Sequence, residues 1–305
     1  MTGKILSTCG GVYVVHHNNI NYRLFPKGIF RHRNQKLLVG DEVDFNDVEM
    51  VIENIHDRRN ELIRPKVANV DLLLITMSVC EPELSVELLY KFLTYANMNS
   101  IKASVIFTKI DKLNDLTHLD SLKKDLNKLG YKVYYLSSDK KSEINQLIED
   151  IKDKTVVFMG QTGVGKSSAI NHIDQNFERK IGEYSIALGR GKHQTKEVIL
   201  LPYENGFIGD TPGFSSLDLN IFKEDLAQYF PGYGEHFTKC FFSNCLHQNE
   251  KQCKIKEEIS NGNLSKEGYE AYIKILETLP YKNERYNKWK IMYRLVCSPQ
   301  IKNIF

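Results

Sequence analysis

The chain has 305 residues, 42% of them hydrophobic and 26% charged, with a net charge of +3. That is room for two or three domains with a well-buried core, and it is the composition of an ordinary globular protein. No apolar run reaches the length of a membrane span, and "MTGKILSTCGG" has no long apolar region before a cleavage site, so export is not expected. Three of the six cysteines cluster at Cys240, Cys245 and Cys253, while Cys9, Cys80 and Cys297 are scattered. That is no disulfide framework; it suits a reducing, cytoplasmic compartment.

Residues 1–66 read as short strands. "GGVYVV" (10–15), "INYRLF" (20–25) and "DEVDF" (41–45) are rich in β-formers and separated by Gly, Asn and His. A small β-barrel fits, and such barrels often bind oligonucleotides. Charge points the same way. No acid precedes Asp41, against Lys4, Arg23, Lys27, Arg31, Arg33 and Lys36. The tail after Tyr281 carries Lys282, Arg285, Lys288, Lys290, Arg294 and Lys302 against Glu284. Basic ends suit a polyanion such as RNA, with a plain solvated surface as the competing reading. Arg64, Pro65 and Lys66 read as a linker.

From residue 67 apolar strands alternate with amphipathic helices. "VDLLLITMS" (70–78) is a near-continuous apolar run, as in a strand covered on both faces. A helix is predicted over 84–98, a strand at 103–108, a helix over 115–129 and a strand at 131–137. Another helix leads to "TVVFMG" (155–160), and strands follow at 197–202 and 206–210. The alternation predicts a doubly wound α/β domain over 67–222. Residues 223–305 turn to aromatics, Cys and Lys with two helical segments, a third, mainly helical domain.

"GQTGVGKSS" (160–168) matches G-x-x-x-x-G-K-[ST] between an apolar strand and a helix. Gly160, Gly163 and Gly165 let the backbone turn its N–H groups toward phosphate oxygens. The candidate cradle is Gly160, Gln161, Thr162, Gly163, Val164, Gly165, Lys166, Ser167 and Ser168, on a helix N-terminus. Lys166 would bridge the β- and γ-phosphates, and the Ser167 hydroxyl would bind Mg²⁺. About forty residues on, "IGDTPGF" (208–214) ends a strand. Asp210 is placed for the Mg²⁺ shell, and Gly213 for an N–H to the γ-phosphate; an ordinary turn is the alternative. Between them, "SIALGRGKHQTKEV" (185–198) reads as a switch loop in which Thr195 could ligate Mg²⁺, or as a loop with no role for any one residue.

"TKID" (108–111) follows a strand. Asp111 could accept both N1–H and N2–H₂ of guanine, which adenine cannot offer, and Lys109 could lay its stem on the base plane. Thr108, Lys109, Ile110 and Asp111 are the first base loop; "LSSD" (136–139), with Ser137 and Ser138, is the second. Alone, T-K-x-D is a weak signal. Finally, "CFFSNCLHQNEKQC" spaces Cys240, Cys245, His247 and Cys253 as C-x4-C-x-H-x5-C, a closed zinc site that is structural rather than catalytic. Three buried thiols without metal is the alternative, and His236 is a competing histidine outside the spacing.

The base loops precede the phosphate loop, the reverse of the usual order. That order, the basic β-rich start and the Cys/His cluster together resemble the RsgA family of small-subunit-dependent GTPases, over essentially the whole chain. The resemblance implies a multidomain fold: an oligonucleotide-binding-type barrel, a circularly permuted P-loop GTPase domain and a C-terminal zinc domain. It implies Mg²⁺ with GTP or GDP, one structural zinc, and a role in late maturation of the small ribosomal subunit and contact with its rRNA. A monomer away from membranes is expected. Two features depart from the pattern: Thr108 stands where many GTPases have Asn, and Gln194 where the switch often has Thr. Phe214 stands where Ras-like enzymes orient water with Gln, so unaided turnover should be slow, on the order of 10⁻⁴ to 10⁻² s⁻¹. His193, brought in on the ribosome, is the candidate catalytic group; a solvated loop histidine is the alternative. Permutation places the Mg²⁺ loop close before the zinc segment, so nucleotide state could set how two basic arms grip rRNA. A general P-loop phosphotransferase or ATPase, and an RNA-binding protein with vestigial hydrolysis, are the competing readings.

Overall fold

The computed structural model describes residues 1–32, 35–137, 141–177, 179, 198–214 and 216–282. The amino-terminal strands β1 (Thr2–Cys9), β2 (Val12–His17), β3 (Ile20–Pro26), β4 (Glu42–Asn46) and β5 (Val51–Ile55) close into a barrel in the order β1-β2-β3-β5-β4. Pairing is antiparallel except between β3 and β5. Alternation turns Ile5, Val15, Leu24, Val43, Phe45 and Ile52 inward, and these fill the barrel. Gly10 and Gly11 turn β1 into β2 with φ of 57° and 84°, the left-handed pair that a two-residue hairpin demands. Two strands escape the sequence pattern. A bulge between Ile5 and Ser7 in β1 buries Ser7 and breaks the alternation. "VIENI" in β5 is too short to stand out.

Arg64, Pro65 and Lys66 are not an open linker. They lie in the turn between β6 (Glu61–Leu62) and β7 (Val67–Ala68), which pair, and Pro65 is buried. Val39 bridges to Val67, holding this hairpin against the barrel segment.

The second sheet has the order β10-β9-β8-β11-β13-β12. Its strands are β8 (Leu72–Ser78), β9 (Lys102–Thr108), β10 (Lys132–Leu136), β11 (Thr155–Met159), β13 (Gly206–Asp210) and the antiparallel edge strand β12 (Ile199–Tyr203). The other five are parallel. Every residue of β8 and β11 is buried, which their unbroken apolar runs require of central strands. Helices Thr117–Lys128, Lys141–Ile151 and Lys166–Ile173 connect the strands. The barrel is fastened to this sheet by polar groups. Lys4 Nζ donates to Thr155 Oγ1 at 3.4 Å, and Asp71 accepts from the Thr155 N–H at 2.8 Å while pairing with Arg59.

Barrel and sheet form one compact unit, Met1–Leu84 with Ala96–Ser216; Ser85–Tyr95 joins the chain from Leu217 onward in a second. The second is helical: part of Val86–Met98, then Lys223–Tyr229, Lys254–Ser260 and Lys266–Thr278. Its core is aromatic. Tyr90 stacks on Phe230 with ring centroids 5.1 Å apart, and Tyr233 and Tyr272 complete the cluster. Among the described residues no helix is long and apolar enough to cross a membrane. The basic tail beyond Lys282 lies outside the described residues.

Candidate nucleotide site and metal centre

Parallel strands present their carboxyl ends at one edge of a sheet, and loops there build α/β sites. The phosphate loop leaves β11 at that edge. Gly160 is required by contact: a Cβ there would sit 2.2 Å from the Thr76 carbonyl oxygen of β8. Gly163 and Gly165 take φ of 80° and 91°, conformations other residues resist. Lys166 is buried, and its ammonium donates to the Gly160 and Gln161 carbonyls at 3.1 and 2.9 Å. Burial lowers its pKa, opposed by the charge of Asp210. Those same donors are what a phosphate would take over.

Asp210, at the end of β13, accepts from the Ser167 hydroxyl at 3.4 Å. A hydroxyl and a carboxylate side by side beneath a phosphate cradle are a hard oxygen pair of the kind Mg²⁺ prefers. The loop after Asp210 is fixed to β11 and its turn. Thr211 donates to the Phe158 carbonyl at 2.7 Å, and the Phe214 N–H to Gly160 at 3.1 Å. Gly213 lies so close to the phosphate loop that a Cβ would stand 2.4 Å from Thr162 Oγ1.

The first base loop leaves β9 two strands away. Thr108 is buried and donates to the Val164 carbonyl inside the phosphate loop, with Met77 O at 3.3 Å. A threonine hydroxyl thus supplies a tether in the place of the missing amide. Lys109 has φ of 58°, and its ammonium bridges the carbonyls of Glu81 and Gly163, the latter at 2.9 Å. Asp111 sits exposed on the turn Ile110–Lys112, while the Ile110 side chain is buried, leaving only its backbone for a ligand. Ser137 is at the end of β10, next to this loop's strand. Ser138, His193, Gln194 and Thr195 lie outside the described residues. Sequence reading missed Glu81 and Thr211: both act through backbone geometry or a single hydroxyl, and neither belongs to a spaced motif.

In the second unit, Cys240, Cys245, His247 and Cys253 bring their ligand atoms within 4.8 Å of one another. His236 is not among them. His247 Nδ1 is 3.4 Å from Cys240 Sγ and 3.4 Å from Cys253 Sγ, and those sulfurs are 4.0 Å apart. A tetrahedron with Zn–S of ~2.3 Å and Zn–N of ~2.1 Å has edges of ~3.6 and ~3.8 Å, so the cluster fits zinc. Burial pushes the Cys245 thiol up to about 12 and the His247 imidazole down to about 4. A cation is what would hold such sulfurs as thiolates. Glu250 fastens the loop by accepting from the Leu246, Gln248 and Asn249 N–H groups at 2.7, 2.7 and 3.0 Å. Tyr269 and Tyr272 donate to the His247 and Leu246 carbonyls at 2.9 and 3.2 Å.

Two family models match, RsgA GTPase over residues 55–220 and the RsgA N-terminal domain over residues 2–51. The chain is 37% identical over 289 residues to the small ribosomal subunit biogenesis GTPase RsgA of Halalkalibacterium halodurans, covering 93% of this chain and 98% of that one. It is 40% identical over 282 residues to the same-named protein of Clostridium acetobutylicum, covering 92% and 98%. Among solved structures, YjeQ from Thermotoga maritima matches with a TM-score of 0.78 and 32% identity over 90% of this chain and 97% of its own. YloQ, a circularly permuted GTPase, matches with a TM-score of 0.73 and 32% identity, over 90% and 93%. A phosphate loop, an upstream strand-end loop at 108–111 tied to it out of sequence order, a five-stranded barrel and a Cys₃His cluster agree with these matches, and the chain belongs to the RsgA family of GTPases.

Proposed function

We propose that this GTPase binds the small ribosomal subunit and hydrolyses GTP there during late maturation, stimulated by the subunit. The relatives named as small-subunit biogenesis GTPases support the setting. The observation that carries the chemistry is the convergence of Lys166, Ser167, Asp210, Thr108 and Asp111 at one sheet edge, although their loops lie far apart in sequence. Asp111 selects guanine; Lys109 and the loop N–H groups hold base and phosphates. Ser167, Asp210 and Thr195 would hold Mg²⁺, which when bound with GTP supplies charge neutralisation on the β- and γ-oxygens. Gly213 offers its N–H to the γ-phosphate. Phe214 orients no water, so unaided turnover is slow and His193 completes the site on the ribosome. His193→Ala therefore lowers subunit-stimulated turnover while GTP affinity stays nearly unchanged. The Cys₃His centre holds one structural zinc. The protein works as a cytoplasmic monomer against rRNA.

The test is GTP turnover with and without purified small subunits, with ATP as competitor. Stimulation with no ATP competition is expected. Turnover indifferent to subunits, or ATP displacing bound GDP as readily as GTP does, would sink the proposal.

A further inference from the structure

A cavity of about 940 Å³ lies within the first unit, between the barrel, the β6–β7 hairpin and the loop that follows Asp210. Its size is that of a site for a small ligand or a single nucleotide, roughly 300–1,000 Å³. Its lining is selective. Lys36, Arg64 and Lys66 are exposed at its margin, and no aspartate or glutamate is among the described residues that line it. Tyr13 and Phe214 are half-buried and Phe30 is buried, so the interior offers aromatic surface. The barrel's contribution includes Thr8 on β1, Gly11 in the β1–β2 turn, Tyr13 on β2 and Pro26 on β3. Barrels of this type use that loop and the neighbouring strand face for single-stranded nucleic acid. On the other wall, Pro212 and Phe214 stand on either side of Gly213, and the Phe214 N–H is bonded to Gly160 of the phosphate loop.

We propose that this cavity receives one nucleotide of single-stranded RNA, its phosphate on the Lys36, Arg64 and Lys66 margin and its base against Tyr13, Phe30 and Phe214. Cations without acids select an anion, and aromatic faces select a base over an inorganic phosphate. An occupant in contact with Pro212 and Phe214 restrains both neighbours of Gly213, and hence the segment that would face the γ-phosphate. This inference rests on the small-subunit reading above and adds to it a place where bound RNA is sensed beside the nucleotide.

The test uses the full chain saturated with GDP, so that the first site is filled. A labelled uridine hexanucleotide is titrated, with uridine monophosphate as the free-nucleotide arm. The charge-reversing pair Lys36→Glu and Lys66→Glu is compared with the milder Lys36→Gln and Lys66→Gln, both at exposed positions. We expect hexanucleotide affinity to fall about 10-fold or more, and its salt dependence to flatten by ~0.7 in log–log slope for the one phosphate released. GDP affinity and turnover without subunits stay unchanged, while subunit-stimulated turnover falls. Photo-cross-links from 4-thiouridine in the hexanucleotide should map to the peptides of Tyr13 or Phe214. Unchanged hexanucleotide affinity in both variants, or cross-links only elsewhere, overturns the proposal. Uridine monophosphate competing at the same concentration as the hexanucleotide overturns it too, by assigning the cavity to a free nucleotide. If small subunits fail to stimulate the unmodified chain, the functional reading fails and the hexanucleotide and cross-linking arms alone decide the cavity.

Discussion

Thr108 is the clearest place to test how the two loops are held together. Thr108→Val keeps the shape and removes the hydroxyl that donates to the Val164 carbonyl. That carbonyl belongs to a residue only 1% exposed, so water does not easily replace the lost donor. Leaving a buried acceptor unsatisfied costs about 1–3 kcal/mol. The bond joins two parts of the chain itself, so the cost falls first on stability. At ~2–4 °C per kcal/mol for a domain of this size, the melting temperature should drop by ~2–12 °C. Affinity falls only as far as the untethered loop leaves its binding shape. A loop competent one-tenth of the time weakens GDP about 10-fold. Thr108→Ser keeps the hydroxyl and should match the parent in both measurements. Differential scanning calorimetry and a fluorescent-GDP titration read the two effects. A Thr108→Val chain that melts within about 1 °C of the parent and binds GDP equally would refute the tether.

Three further outcomes follow from the geometry. Gly213→Ala places a Cβ 2.5 Å from Thr162 N and Cα, backbone atoms that cannot rotate away; displacing the loop by about 1 Å should lower stimulated turnover about 100-fold, measured at saturating GTP. Asp71 is pushed up by burial, but Arg59 and the Thr155 N–H pull it lower and prevail, so its folded pKa lies below the unfolded value. Its contribution is then complete above ~3.9 and lost as pH falls through the folded value; urea midpoints between pH 6 and pH 3 should decline less in Asp71→Asn. Purified protein should carry one zinc per chain by elemental analysis, and Cys253→Ser should lower that content; much less than one zinc in the parent, without chelator exposure, would remove the metal centre.

What the sequence made legible is what single short segments encode. The phosphate loop needs glycines at fixed offsets before Lys166, and a Cys₃His cluster needs four sulfur and nitrogen ligands within fourteen residues, Cys240 to Cys253. Both are visible without knowing the fold. The burial of β8 and β11 was legible too, because a strand covered on both faces has no polar face to alternate with. Contacts that join distant segments were not. Nothing near Glu81 says that its carbonyl will anchor Lys109, since any residue carries a carbonyl. Strand β1 hid for a different reason: its bulge between Ile5 and Ser7 buries Ser7, so the period of two fails there. Residues 64–66 read as a linker yet form a hairpin turn, because turn and linker share the same residue types.

The reversed motif order loses its strangeness once the sheet order is known. β8 lies between β9, which carries the 108–111 loop, and β11, which carries the phosphate loop, while β13 flanks β11 on its other side. All four are parallel, so their carboxyl ends gather at one edge whichever strand the chain visits first. A chain beginning at β11 and ending at β10 would build the same edge. What a permuted chain must still secure is the seam between loops that covalent order no longer brings together. Here Thr108 to Val164 and Lys109 to Gly163 cross that seam, over 56 and 54 residues, and Ser167 to Asp210 and Thr211 to Phe158 hold the far side. The site is therefore specified by strand order and a few hydrogen bonds rather than by the order of motifs. That leaves the chain ends free to carry other elements: the barrel precedes the nucleotide domain, and the helical segment with the Cys₃His cluster follows within about thirty residues of Asp210.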